Sequence, residues 1–306
     1  MHKSKLLITL SLHKKNRIFI LIISILTSTL SYGQKTNYKY LSTQEDSLKI
    51  YAEIVMNGAN ETEKKEANNK LNKILLEVLK NKSSFKYPFE KLITIAKIQP
   101  KDNKFRIFNW LLKKDNGEYE YYAIIQLYNK KNDTCDVVKL VDNSKNIRNP
   151  EHEELNEKNW YGSLYYDIIT IKKEEQTLYT TLSWDGNDGY STKKIIDVVY
   201  FKNNKEVCFG LPIFKNKENK TQKRIIVEYD ARTSISVKKD NKKIILNNLI
   251  PPRKDLTGLH AYYIPDGNFN AYVYKKGEWI LEKDIDARNK NKTQKFKEPR
   301  RGIIPK

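Results

Sequence analysis

Histidine is nearly absent from this chain: there are four, and only His152 and His260 lie beyond the first 33 residues. A metal centre built on several imidazoles is therefore excluded, and a Ser-His-Asp arrangement would have to use one of those two. Cysteine is scarcer still, with Cys135 and Cys208 alone and no C-x-x-C spacing. In an oxidising compartment the two could close one disulfide; on strands they could equally pack as small buried hydrophobes. G-x-S-x-G, H-E-x-x-H, G-x-G-x-x-G and G-x-x-x-x-G-K-[ST] are all missing, which removes the common signatures of serine hydrolases, zinc proteases and nucleotide-binding loops. No cofactor or metal is expected. Arginine is also sparse. It occupies nine positions, so 48 of the 57 basic residues are lysine.

That last imbalance bears on the formal charge of +20. Lysine is a hydrated point charge, whereas the planar arginine fork reads phosphates and guanine edges. Lysines scattered among asparagines describe a solvated basic surface, with anionic polysaccharide or lipid headgroups as the partners such a surface attracts. Nucleic acid is not expected as a partner.

The start of the chain has the order of an export signal. Lys3, Lys5, Lys14, Lys15 and Arg17 precede an uncharged apolar run from Ile18 to Leu30, and Ser31 and Gly33 flank Tyr32 just before Gln34. The run is too short for a bilayer core, which needs about 20 residues. Cleavage after Gly33 is expected, leaving an exported protein of the periplasm, outer envelope or extracellular space. No later stretch reads as a membrane span.

Beyond it the hydrophobic period is helical and then switches to two. Ser42 and Glu45 fit a capping box, and a first helix should stop near Asn57-Gly58. Asn60 is placed to cap a second, with Ala67, Leu71, Ile74, Leu75, Val78 and Leu79 as its apolar stripe. This helical hairpin (34–84) should bury a face on the β region, with a separate helical module as the alternative. From Tyr87 onward short strands and polar turns follow one another over residues 85–289, and 142–159 is either a boundary that subdivides them or one long loop. The stretch Trp160–Phe201 reads as a three-strand meander around which the rest is organised. In its middle strand Leu178, Thr180, Leu182 and Trp184 alternate with Thr177, Tyr179, Thr181 and Ser183, one face for a core and the other polar. The expected fold is mainly β within the α+β class: antiparallel meander sheets, arranged as a sandwich, an open barrel or propeller-like blades, favoured as one continuous sheet system. The tail from Lys290 reads as disordered and basic.

Few residues carry the composition of a site. Trp184-Asp185-Gly186-Asn187-Asp188-Gly189 has a calcium-loop flavour, but an EF-hand counted from Asp185 would need glycine and an acid where Tyr190 and Ile196 stand. Asp, Asn and Gly are equally what a tight turn demands, so Trp184, Asp185, Asn187 and Asp188 are weak ligand-binding candidates. His260, followed closely by Tyr262, Tyr263 and Asp266, could line a polar pocket. His152 sits among glutamates as a solvated loop residue. Asp284, Asp286 and Arg288 would share a face in an extended segment, and paired carboxylates could act as acid and base in glycoside hydrolysis. Trp160, Tyr161, Tyr165, Tyr166, Tyr262, Tyr263 and Trp279 could make a carbohydrate-stacking platform, although such residues commonly fill β cores.

Four stretches carry a resemblance: Phe105–Trp110 with its Asp-Asn-Gly turn, Asn159–Tyr166, Trp184–Asn187 followed by Lys193–Val198, and Asp284–Asn289. With the Tyr-Gly-Gln signal ending, they resemble an uncharacterised family of exported proteins from Bacteroidota-type bacteria. The resemblance implies an export address and a shared fold over residues 85–289, and it carries over no catalytic residue. Two functions follow as expectations. The first is a non-enzymatic envelope or secreted protein that binds a partner or an anionic surface. The other is a hydrolase of cell-wall or extracellular polymers, drawing on Asp185, Asp188, His260, Asp284 and Asp286.

Overall fold

The computed structural model describes residues 37–203, 205–216 and 220–285. The expected signal segment, the basic tail, Asp286 and Arg288 lie outside the described residues.

Helix α1 runs through residues 37–57 and buries Leu41, Leu48, Ala52 and Val55 at helical spacing. The expected capping box is corrected: the helix is already formed at residue 37, so Ser42 is not its N-cap. Glu45 instead points inward, where its carboxylate accepts from the Tyr87 hydroxyl at 2.6 Å and the Lys91 amide at 2.7 Å. Helix α2 (Glu61–Lys80) starts as expected. Asn60 Oδ1 accepts from the Glu63 amide at 2.9 Å, and Glu63 Oε2 accepts in return from the Ala59 amide at 2.7 Å.

The strands form three sheets. The first has the order β1 (Ala96–Ile98), β2 (Phe105–Lys113), β3 (Tyr119–Asn129), β4 (Thr134–Val141), all antiparallel. Strand β1 begins only at Ala96, because the chain turns at Phe89 and the Lys97 ammonium donates to the carbonyls of Phe89 and Leu92. The second sheet contains β5 (Leu155–Asn156), β6 (Leu164–Lys173), β7 (Gln176–Asp185), β8 (Ser191–Lys202) and β9 (Glu206–Phe209), with β12 (Ile225–Asp230) added along β8. The third takes β10 (Phe214–Lys215), β11 (Thr221–Gln222), β13 (Val237–Asp240), β14 (Lys243–Ile250), β15 (Ile264–Lys275) and β16 (Glu278–Glu282). The strands thus divide among several sheets rather than one continuous system, and β10 and β16 pair in parallel. None of them closes into a barrel among the described residues. The fold is mainly β with an N-terminal helical hairpin, as expected.

The cores give the stacking order. Leu48, Leu71, Leu75 and Val78 of the hairpin meet Phe108, Trp110, Leu112 and Ile124 on one face of the first sheet. That sheet's other face, with Phe105, Ile107, Tyr121 and Ile125, packs on Tyr165, Tyr179, Ile195 and Val199 of the second. Leu178, Leu182, Ile196 and Val198 then face Ile244, Tyr272 and Trp279 of the third. The second sheet is a filling between two others, and β7 is therefore buried on both faces; its alternation of polar residues does not mark a solvated side. The buried hydroxyls largely find partners instead. Ser163 Oγ donates to Ser183 Oγ at 2.9 Å, and Thr180 Oγ1 accepts from Trp279 Nε1 at 3.0 Å.

The segment 142–159 carries a short helical turn and β5 and otherwise runs as loop along the second sheet. Its Glu151 carbonyl accepts the amides of Lys223 and Arg224, and the Arg224 guanidinium also reaches the Pro150 carbonyl. Arg224, fully buried, pairs with Asp197 at 2.6 Å where β8 changes edge partner from β12 to β9. Among the described residues no helix is long and apolar enough to cross a membrane.

Candidate functional site

The turn between β7 and β8 is tight because Asn187 (φ 52°) and Gly189 (φ 83°) both adopt left-handed backbone. Asp185 Oδ1 accepts the Asn187 amide at 2.8 Å, and Asp188 Oδ1 accepts those of Tyr190 and Ser191 at 3.0 and 3.1 Å. Gly186 has a separate reason to be glycine. A Cβ there would lie 2.3 Å from the Tyr119 ring, which itself sits edge-on to Trp184 at 5.5 Å.

The turn forms one wall of a cavity of about 590 Å3 whose other walls are β3, β4 and the loop after β4. Asp185, Asn187 and Asp188 line it from the turn, Tyr119, Tyr121 and Tyr122 from β3, and Asp142 from the loop. Tyr121 is the hinge of the arrangement. Its hydroxyl donates to Asp185 Oδ1 at 2.9 Å and accepts from the Gly186 amide at 2.7 Å. Its own amide donates to Asp142 Oδ2 at 3.2 Å. Burial pushes the Asp185 carboxyl above the usual carboxylate range, and Asp142 nearby adds to that direction. Burial also pushes the Tyr121 hydroxyl strongly upward, so it stays a donor at any ordinary pH.

Asp142 is fully engaged. Its Oδ1 takes the Ser144 amide at 3.1 Å and the Ser144 hydroxyl at 2.6 Å, and that hydroxyl accepts from the Gly162 amide at 2.7 Å. Gly162 permits this closeness, since a Cβ would fall 2.3 Å from the carboxylate. The rim ammonium groups are largely paired as well: Lys114 with Glu120 at 3.1 Å and Lys145 with Glu118 at 2.5 Å. Five carboxylates against three ammonium groups make the cavity acidic on a basic protein. Among the described residues no group of three or more His, Cys, Asp and Glu side chains could hold a metal ion.

Of the residues singled out in the sequence, Asp185, Asn187 and Asp188 come together here, backed by the half-buried Trp184. His260 and Asp284 do not line the cavity. His260 is exposed and packs at a tilt against Tyr263 at 4.6 Å, while Asp284 lies beyond β16, its amide donating to Asn270. His152 is an exposed loop residue. The aromatic platform is largely dismantled: Trp160, Tyr161, Tyr165 and Trp279 are core residues, and Tyr166 and Tyr262 remain exposed. Sequence reasoning missed Tyr121 and Asp142. An Asx turn was readable in Asp142-Asn143-Ser144, but an inward tyrosine on a strand carries no local signal of a distant partner.

No protein-family model matches the chain, and no curated protein or solved structure matches it.

Proposed function

We propose that this chain is an exported, non-enzymatic binding protein of the envelope or extracellular space, and that it takes a neutral polyhydroxylated ligand, a glycan, in the cavity beside Asp185. The observation that carries this reading is the composition of the cavity: tyrosine rings with fixed amide, hydroxyl and carboxylate groups, the mixture that recognises sugar hydroxyls. Its excess of carboxylates disfavours a polyanion inside it. Anionic polysaccharide or lipid would meet the lysine-rich exterior instead. The basic start and short apolar run of residues 1–33 support export.

A hydrolase is the second reading, favoured by Asp142 and Asp185 lining one cavity with the Asp185 carboxyl raised by burial. Against it, both Asp142 oxygens already accept hydrogen bonds, which suits a strut better than an acid or base.

An array of neutral and anionic glycans, probed with the full chain, tests the proposal. Binding of neutral glycans without release of reducing ends is expected. Absence of binding overturns it, and reducing-end release that disappears in Asp185→Asn establishes the hydrolase instead. Export is checked separately: the chain recovered outside the cytoplasm should begin at Gln34.

A further inference from the structure

The turn that walls the cavity has a second side. One residue past Gly189 stands Tyr190, 84% exposed. Its carbonyl accepts the Ala231 amide at 3.0 Å, which ties it to the chain just after β12. The neighbouring Asp230 amide donates to the Tyr263 carbonyl at 3.0 Å, which ties the same place to the short turn His260–Tyr262. Leu259 and Tyr262 are 52% and 49% exposed there. Tyr263 is pinned in turn: the His260 ring packs at a tilt against its own, and its hydroxyl accepts from the Gly258 amide at 3.0 Å.

Two exposed tyrosines thus stand on one loop cluster fixed by main-chain hydrogen bonds. The guanidinium beside them, Arg232, is locked in a two-pronged pair on Asp230 at 3.0 and 2.6 Å. That pair holds the Asp230 carboxyl down at about 2, so it stays ionised and matched through the whole ordinary pH range. Exposed rings beside the Asp188 carboxylate, with the nearby Arg232 already paired, suit the apolar faces of neutral sugars and disfavour a polyanion.

Resting on the cavity as a glycan site, we infer that the ligand is a linear neutral glycan several residues long, with one unit in the cavity and the following units passing over the Asp185–Gly189 turn onto Tyr190 and Tyr262. Asp188 supports the crossing point by fixing the Tyr190 and Ser191 amides. A monosaccharide would occupy the cavity without using either ring.

Isothermal titration of the full chain with disaccharides and hexasaccharides of glucose, mannose and N-acetylglucosamine tests this. For the sugar that binds, the hexasaccharide should bind roughly tenfold or more tightly than the disaccharide, the scale of one or two ring contacts. Tyr190→Ala and Tyr262→Ala should each erase most of that advantage and leave disaccharide affinity unchanged. Both side chains are exposed, and unchanged melting temperatures would show the variants folded. Equal affinity for short and long oligosaccharides overturns the inference while leaving the cavity reading intact, as does a length advantage that survives both substitutions. No binding at any length overturns both.

Discussion

The Tyr121 hydroxyl donates to Asp185 Oδ1 at 2.9 Å, joining the first sheet to a turn of the second across 64 positions of chain. The Gly186 amide completes the contact from the other side at 2.7 Å. Tyr121→Phe keeps the ring and removes the hydroxyl, so a buried carboxylate and a buried amide each lose a partner. A loss of about 1–3 kcal/mol is expected in urea unfolding at pH 7. The pH dependence follows from the direction of the shift. A carboxyl raised above its unfolded value favours folding when protonated, and that contribution fades as pH rises through the folded value. The Tyr121 hydrogen bond opposes the rise, so the variant's Asp185 should titrate higher still and its stability should fall away at higher pH than in the parent. Identical pH profiles would sink this account.

Gly186 is predicted to be intolerant of alanine for reasons of space, since its backbone is not among the left-handed positions. The added methyl would meet the Tyr119 ring at 2.3 Å and the Trp184 ring at 2.7 Å. Gly186→Ala should cost about 1–3 kcal/mol, in the range of other overpacked sites. Tyr119→Ala should relieve the closer of the two clashes and leave the one with Trp184. In a double-mutant cycle the two changes together should cost less than their sum; additive costs would show that the ring is not the obstacle.

How much of this was readable beforehand divides along physical lines. The Asn60 cap and the end of α1 at Asn57 depend on local chemistry, and local chemistry is written in order along the chain. The turn Asp185–Gly189 was legible for the same reason. What stayed hidden depends on layer order. Ser183 and Thr181 look like solvent-facing residues until a second sheet covers them. The parallel pairing of Phe214 and Lys215 with Trp279 and Ile280 involves two-residue segments too short to show a period. Tyr121 and Asp142 belong to the candidate site only because the first sheet lies on the second, and no spacing rule brings them to Asp185.

The two cysteines lie in different sheets, Cys135 half-buried on β4 and Cys208 buried on β9, and both are free thiols. Burial pushes both thiols upward, so neither is a ready thiolate at neutral pH. Protein prepared without reductant should titrate two thiols per chain with a thiol reagent in guanidinium, and Cys208 should react slowly in the native state. Recovery of none would mean that the chain closes a bridge the fold does not provide for.

Arg106 is the strongest case of a single side chain holding two layers together. It is 6% exposed and has no carboxylate partner among the described residues; its guanidinium donates to Gln126 Oε1 at 2.8 Å, to the Tyr87 carbonyl at 2.8 Å and to the Ser84 carbonyl. Phe85, Phe89 and Phe108 surround it at 4.7–5.5 Å, replacing some of the lost hydration with their ring faces. Burial lowers it to about 10, still far above neutral pH, so it remains charged. Gln126 in turn donates to the Leu79 carbonyl at the end of α2 at 2.6 Å, so the network runs from the sheet into the hairpin. Arg106→Met should keep much of the volume but strand three acceptors, at a cost of roughly 3 kcal/mol or more. The loss should be local first: hydrogen exchange at the C-terminal half of α2 and across Lys82–Lys86 should accelerate before that of β7 and β8, which pack on the other face of the first sheet. If exchange rises uniformly through all three sheets, Arg106 supports the whole fold and not the docking of the helices upon it.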